Sequence, residues 1–430
     1  MLRGITVLEL GQVIAGTYSG VILADLGAEV IKIEPLTGDA NRNAGIAPLA
    51  SESTIHLCMN RNKKSVGLDL KAAEGRDLFY RLVEQADIVI DNFRPGVMAR
   101  LGIDHEQLKK RKPDIITVSV TGFGEYGPRR DQPAFDLVVQ ALAGHLHITG
   151  DPGGPPTRVG IPLADIAGGI FACISALAGL SSRLLHGPGT HADVAMLDCL
   201  VSLLSYQALG HLNTGGQVTR QGTAHAHMVP WQAFATRNGY LVVAVREDKF
   251  WQRLCDAIGR PDLKADPRTS ANSARVANRE LVTSLLREHF AHRDTEDWLR
   301  ILDENDIPAA PVNDLAAVFA DEQVTARGLV RTYHHQVIGD VRYTPSPPQL
   351  DGWAFPSAPA PRLGEHTGHV LQQRLGMGAE QVADLARRRV VRVMDSAEAQ
   401  APPAQVPEPP GPVTSHTDVT ADPAPGSTDA

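Results

Sequence analysis

One carboxylate, Asp165, stands at the head of an apolar, glycine-rich run, "RVGIPLADIAGGIFACISAL" (158–177). Two kinds of chemistry fit that placement. Asp is a favoured N-cap residue, because its side-chain oxygen can accept one of the unpaired N–H groups of a helix's first turn. A carboxylate in a dry, apolar setting is also a competent nucleophile for covalent catalysis. Gly168 and Gly169 leave room for a ligand near it, and the positive end of the helix dipole keeps an aspartate ionised. Their N–H groups are candidate stabilisers of an oxyanion. Residue types alone leave cap and nucleophile both open.

Other chemistry-bearing residues are fewer. The loop Gly11 to Gly16 follows an apolar run and has the spacing G-x-x-x-x-G. It lacks the G-x-G-x-x-G of a dinucleotide site and the Lys and Ser/Thr of a P-loop. Glu34 ends the next apolar run, where a ribose-binding acid would sit in a nicotinamide-dependent dehydrogenase. "NRNKKSVGLDL" (60–70) and "NFRPGVMARLG" (92–102) gather cations, and Arg94-Pro95-Gly96 follows the end of an expected strand. Open α/β sheets bind ligands there, so cations at that edge suit an anionic substrate. His225 and His227 lie two apart but have no acidic or thiol companions, so no metal site is expected. No G-x-S-x-G occurs.

These residues need elements to hold them. "ITVLEL" (5–10), the glycine loop, "TYSGVILADLG" and "AEVIKIE" (28–34) form a βαβ opening, which implies a parallel sheet. The expected class is α/β: a large, doubly wound Rossmann-like domain over 1–185, with helical linkers over 186–229. A smaller α+β domain is expected over 230–330 and a return segment to the large domain over 331–393. Residues 394–430 are rich in Pro and Ala and have almost nothing to bury, so a disordered tail is expected.

The chain has 430 residues and a net charge of −8. Six acidic residues and no Lys or Arg follow Arg392, so the body is nearly neutral. That balance argues against nucleic acid or an anionic membrane as partner. Four cysteines, far apart and without a CxxC pair, fit a reducing cytoplasm. The charge-free stretch 166–182 is short for a membrane span and reads as a buried core helix.

Many segments in order resemble the class III CoA-transferases, the family that also contains the α-methylacyl-CoA racemases. They are "VLELGQVIAG", "DLGAEVIKIEP", "NRNKKSVGLDL", "ADIVIDNFRPGVMARLG", "VSVTGFGEYGP", "FDLVVQALAG", "GIPLADIAGG", "HADVAMLDCL" and "APRLGEHT". The resemblance runs from residue 1 to about 390 and implies an interlocked homodimer joined by long linkers. It implies coenzyme A lying along Gln12, Lys32 to Pro35, Asn92, Phe93, Arg94 and Arg100, and Asp165 as the residue that attacks the acyl thioester. Coenzyme A is then a substrate, with no permanently bound cofactor and no metal. Racemases carry a His where this chain has Phe135, paired with the residue matching Asp165, so Phe135 argues against the alternative of an α-methylacyl-CoA racemase. Glu247 matches an acidic racemase position but cannot replace the missing base. Within the family, "GTAHAHMVPWQAFATRNGYLVVAV" looks most like the succinyl-CoA:glutarate transferases. A dicarboxylate acceptor would then meet candidates among His147, His225, His227 and Arg246.

Overall fold

The computed structural model describes residues 1–43, 49 and 52–395. The expected tail, but for its first two residues, lies outside these.

Seven strands form the central sheet: β1 (Thr6–Glu9), β2 (Glu29–Glu34), β3 (Lys63–Leu68), β4 (Ile88–Asp91), β5 (Ile116–Thr121), β6 (His191–Ala195) and β12 (Val391–Arg392). Their order is β12-β3-β2-β1-β4-β5-β6, parallel throughout except for β12 on β3. The Rossmann order is thus present, with one antiparallel edge strand added. β1 and β5 are buried at every position, as parallel strands covered on both faces must be.

Alternation along the strands sends side chains to two separate cores. Val7, Val30, Ile88, Ile90 and Val118 face helices Ala15–Asp25, Leu163–His186 and Met196–Leu203. Leu8, Ile31, Ile33, Val66 and Val89 face helices Ala73–Val83, Thr367–Leu375 and Ala379–Arg387. The sheet is therefore doubly wound.

The expected domain boundary at 185 needs correction. β6 pairs with β5 beyond that point, and Val194, Met196, Cys199 and Leu200 complete the first core. The large domain runs on through the Met196–Leu203 helix, because the sheet's last parallel strand would otherwise be missing. The return segment also belongs to the large domain, through Val370, Leu371, Val382, Leu385 and Val391.

Strands β7 (Trp231–Ala235), β8 (Tyr240–Ala244) and β9 (Ala309–Pro311) make a separate antiparallel sheet. Helices Asp248–Ala257, Arg279–Phe290 and Thr295–Glu304 cover it around Trp251, Phe234, Phe290 and Trp298. These elements fall within the stretch 230–330. β10 (Arg331–His335) and β11 (Gly339–Tyr343) form a hairpin. The helix Leu163–His186 is long and apolar enough to cross a membrane by length and composition, but half of it is buried in the body.

Leu163–His186 and Ala15–Asp25 are packed closely through glycine. A Cβ on Gly169 would lie 2.8 Å from the Ala15 carbonyl oxygen and 2.8 Å from Tyr18 Cβ. Backbone cannot give way as a flexible side chain can, so Gly169→Ala is expected to destabilise the fold by about 1–3 kcal/mol. A fall in the urea midpoint at unchanged slope measures it.

Candidate active site

The ligand crevice of a doubly wound sheet lies where the strand order reverses, beyond the strands' carboxyl ends. Here that point falls between β1 and β4, and the chain fills it with a clasp. Gln12 N–H donates to Asn92 Oδ1 at 2.8 Å, and Asn92 Nδ2 donates to the Gln12 carbonyl at 2.6 Å. Asp91 Oδ1 accepts the Phe93 N–H at 3.1 Å, and Arg94 and Arg100 stand exposed beyond it. Gln12, Asn92, Phe93, Arg94 and Arg100 therefore share one edge.

The glycine loop itself is held from beneath. Asn41 Nδ2 donates to the Val13 carbonyl, and Thr17 Oγ1 donates to the same oxygen at 2.9 Å. Val13 has φ 62°, a left-handed conformation costly for a β-branched residue and maintained only by its surroundings. Sequence reasoning missed this, because nothing in a valine announces it.

Lys32 needs correction as a direct coenzyme contact. It is fully buried, and its ammonium meets Glu9 at 3.2 Å, Asp39 at 3.0 Å and the Gly11 carbonyl at 2.6 Å. Burial opposes its charge, yet the Glu9, Asp39 and Glu34 carboxylates raise its pKa overall. The side chain points into the body from β2 and can act on a ligand only through the loop. Glu34 is likewise spent. Burial works against its ionisation, but Arg42, at 2.5 and 2.8 Å, with Lys32 and Ser65, lowers its pKa to about 2. The ribose-binding acid of a dehydrogenase is thus sealed inside an ion pair.

Asp165 lies in the first turn of Leu163–His186, whose N-cap is Pro162. The capping reading fails. Ala164 N–H, which an N-terminal cap would take, donates instead to Asp136 Oδ1 at 2.7 Å. Asp136 opens the helix Asp136–Leu142, directly after Phe135, which is 75% exposed. Asp165 itself is the third residue of the helix, too far in to be its N-cap, and is half-buried. Desolvation, then the negative charge of Asp136, raises its pKa to about 7. A carboxylate is therefore held at high energy beside the loop that Ala15 ends, since Gly169 packs on Ala15 one turn further along.

Gly168 and Gly169 also need correction. Both are buried, and added Cβ atoms would strike Met196, Val120, Ala15 and Tyr18. They serve helix packing; neither opens space for a ligand or presents a free N–H to an oxyanion.

His225, His227 and Arg246 sit elsewhere. His225 lies 5.4 Å from the Trp231 ring at the start of β7, and its pKa is lowered by desolvation, His227 and Arg279. His227 and Arg246 are exposed, and Glu247 pairs with Lys249 at 2.8 Å. His147 is exposed, and its carbonyl accepts from Arg220 at 3.1 Å. Among the described residues no hydrogen bond, ion pair or ring contact joins any of them to Asp165.

Residues 2–367 match the profile of CoA-transferase family III. The chain belongs to that family. The human succinyl-CoA:glutarate CoA-transferase is 34% identical over 91% of this chain and 90% of its own. The succinate–glutarate CoA-transferase of Agrobacterium fabrum is 37% identical over 86% of this chain and 95% of its own. A crystal structure of a CAIB/BAIF family protein from Brucella suis superposes with a TM-score of 0.79 and 34% identity. It covers 87% of this chain and 99% of that one. Membership makes this chain an enzyme of the CoA-transferase kind, consistent with a raised-energy carboxylate beside a switch-point crevice.

The raised pKa of Asp165 sets a sign for stability. A carboxyl whose folded pKa exceeds its unfolded value favours folding at low pH and loses that advantage as pH rises from about 3.8 through about 7. Asp165→Asn, which never ionises, should therefore be more stable than the parent at pH 8, by roughly 1–3 kcal/mol. The gap should close below about pH 4. Thermal unfolding of both proteins across that range checks it.

Proposed function

We propose that this enzyme moves coenzyme A from an acyl-CoA donor to a carboxylic acid through Asp165. What carries the reading is the half-buried Asp165 carboxylate, in the first turn of its helix and held at high pKa by desolvation and by Asp136. One Asp165 oxygen attacks the donor's thioester carbonyl; the C–S bond breaks and CoA thiolate leaves a mixed anhydride. The thiolate then attacks the Asp165 carbonyl carbon, and the C–O bond breaks to release the donor's acid as a carboxylate. The acceptor carboxylate next attacks the aspartyl thioester, forming a second anhydride. Thiolate attack on the acceptor's carbonyl carbon then frees Asp165. Thioester energy is retained throughout, and the negative charge lost by Asp165 leaves with the released acid.

The clasp at Gln12 and Asn92, with Phe93, Arg94 and Arg100, is our assignment for the coenzyme's nucleotide end. The exposed guanidinium groups supply the charge that phosphates attract. Lys32 supports it indirectly by fixing Gly11. The donor we infer is succinyl-CoA and the acceptor a dicarboxylic acid, on the strength of the glutarate-using relatives and the basic residues of the small domain. Arg246 is the preferred partner for a second carboxylate, because guanidinium stays charged and binds carboxylate through two parallel bonds. A second copy of the chain would bring the small domain to Asp165. Exposed Ile174, Leu184 and Leu185 on the Leu163–His186 helix, with Leu209 and Leu212 on the helix Ser205–Thr214, support such a homodimer. We place the enzyme in the cytoplasm, in keeping with four free cysteines.

The racemase alternative is not favoured. The residue before Asp136 is Phe135, which cannot carry a proton.

The nucleophile is tested by incubating the enzyme with succinyl-CoA and hydroxylamine. A hydroxamate should appear on the peptide containing Asp165, and Asp165→Ala should stay folded with transfer reduced by at least about 1,000-fold. Near-normal turnover in Asp165→Ala sinks the assignment. Acceptor class is tested by comparing glutarate with monocarboxylates of matched length in the parent and in Arg246→Ala. The parent should favour glutarate, and the variant should lose roughly 10-fold or more of that preference.

A further inference from the structure

Asp136 carries no role in the mechanism above, yet its surroundings are built with care. Its Oδ1 takes the Ala164 N–H at 2.7 Å, and its Oδ2 takes Gln140 Nε2 at 2.7 Å. Gln140 is fully buried, and its remaining capacity goes to the strand-like approach to the nucleophile. Its Oε1 accepts the Val159 N–H at 3.1 Å, and its Nε2 reaches the Ile161 carbonyl at 3.4 Å. The two side chains therefore tie down residues 159–164 from below. Both Asp136 oxygens are committed as acceptors, so the group is anchored and does not shuttle protons.

We propose that Asp136, held by Gln140, is a positioning residue for the transfer reaction: it fixes the turn that presents Asp165 and sets a second negative charge beside it, so that acylation of Asp165 relieves a repulsion. This rests on the reading of Asp165 as nucleophile. Asp136 holds the N–H of Ala164, the residue next to Asp165, so while Asp165 is a free carboxylate a second negative charge stands close to it in a half-desolvated place. In the anhydride Asp165 is neutral and the charge sits on the CoA thiolate; in the aspartyl thioester Asp165 is again neutral and the charge has left with the released acid. Asp136 thereby shifts the balance toward the covalent intermediates without touching substrate. The elements packed on this helix also carry Tyr18, Asp25, His191, Asp193, Asp198 and Cys199, but Asp136 is the charge that acts on Asp165.

The test uses the full-length enzyme and two variants. Asp136→Asn keeps an oxygen for the Ala164 N–H and removes the charge; Asp136→Ala removes both. Titration of Asp165, followed by carbon NMR of labelled aspartate, should show the midpoint falling by about one unit or more in Asp136→Asn. In that variant, intact mass spectrometry after mixing with succinyl-CoA should show the ratio of aspartyl-CoA adduct to free enzyme reduced up to about tenfold. Hydrogen exchange at the Ala164 amide should stay slow in Asp136→Asn and become fast in Asp136→Ala. An unmoved midpoint, or an unchanged adduct ratio where an adduct forms, overturns the proposal and leaves the nucleophile reading standing. A shifted midpoint with no adduct in any protein, parent included, overturns the nucleophile reading and, with it, the proposed gain from acylation. The titration itself needs no substrate, so the two failures are separable.

Discussion

Glu9, at the end of the central strand β1, is shared by two lysines in the buried interior. Lys63 meets it at 2.6 Å and Lys32 at 3.2 Å, and all three side chains are essentially unexposed. Burying charge is costly, and a pair survives only where geometry and further hydrogen bonds compensate. Compensation is present: Lys63 also donates to the Thr17 carbonyl and to Asn60, and Lys32 to the Gly11 carbonyl. The two lysines do not share equally. Burial, with repulsion from Lys32, outweighs Glu9 and pushes Lys63 down to about 8, whereas Lys32 gains further carboxylates and keeps its charge firmly. Gly20 exists where it does because any Cβ would overlap Glu9. The cluster thus fixes β1, β2, β3 and the first helix as one block, and the strained Val13 loop stands on it.

From that block follows the position of Asp165, the proposed nucleophile. The first helix packs on the Leu163–His186 helix most closely at Gly169, and that contact brings the start of the Leu163–His186 helix, with Asp165, toward Ala15. The approach of the chain to Asp165 is set from the opposite side by Asp136 and Gln140. Two independent anchors converge on one carboxylate. Neither is a substrate-binding group in its own right. This is the ordinary way that precise placement is achieved: the reacting group is held by residues whose own positions are over-determined.

The two ends of the proposed reaction are unequally served by a single chain. The coenzyme edge and the nucleophile share the large domain, where parallel strands deliver their loops to one crevice. Of the basic residues considered for the acceptor, Arg246 follows the small antiparallel sheet and His225 and His227 lie just before it, and among the described residues no hydrogen bond, ion pair or ring contact joins them to Asp165. A homodimer that brings the two together would leave neither subunit active alone, which ties activity to association.

Much of this was legible in the sequence. Apolar runs and the βαβ opening announced a parallel, doubly wound sheet, and a long series of motifs announced the family. Asp165 stood out because a lone carboxylate at the head of an apolar run is unusual. What the sequence by itself could not decide were questions of partnership. Lys32, a cation at a strand end, looked available to a phosphate; packing paired it with Glu9 and Asp39. Gly168 and Gly169 looked like space for a ligand; the first helix filled it. Asp165 stood as a possible cap; the helix starts two residues before it, and Asp136, 29 positions earlier in the chain, accepts the first-turn Ala164 N–H. Local pattern determines which elements form, because period and propensity act within a few residues. Which side chain is spent in structure and which is left free for chemistry depends on neighbours brought in from far along the chain, and only the tertiary fold supplies those.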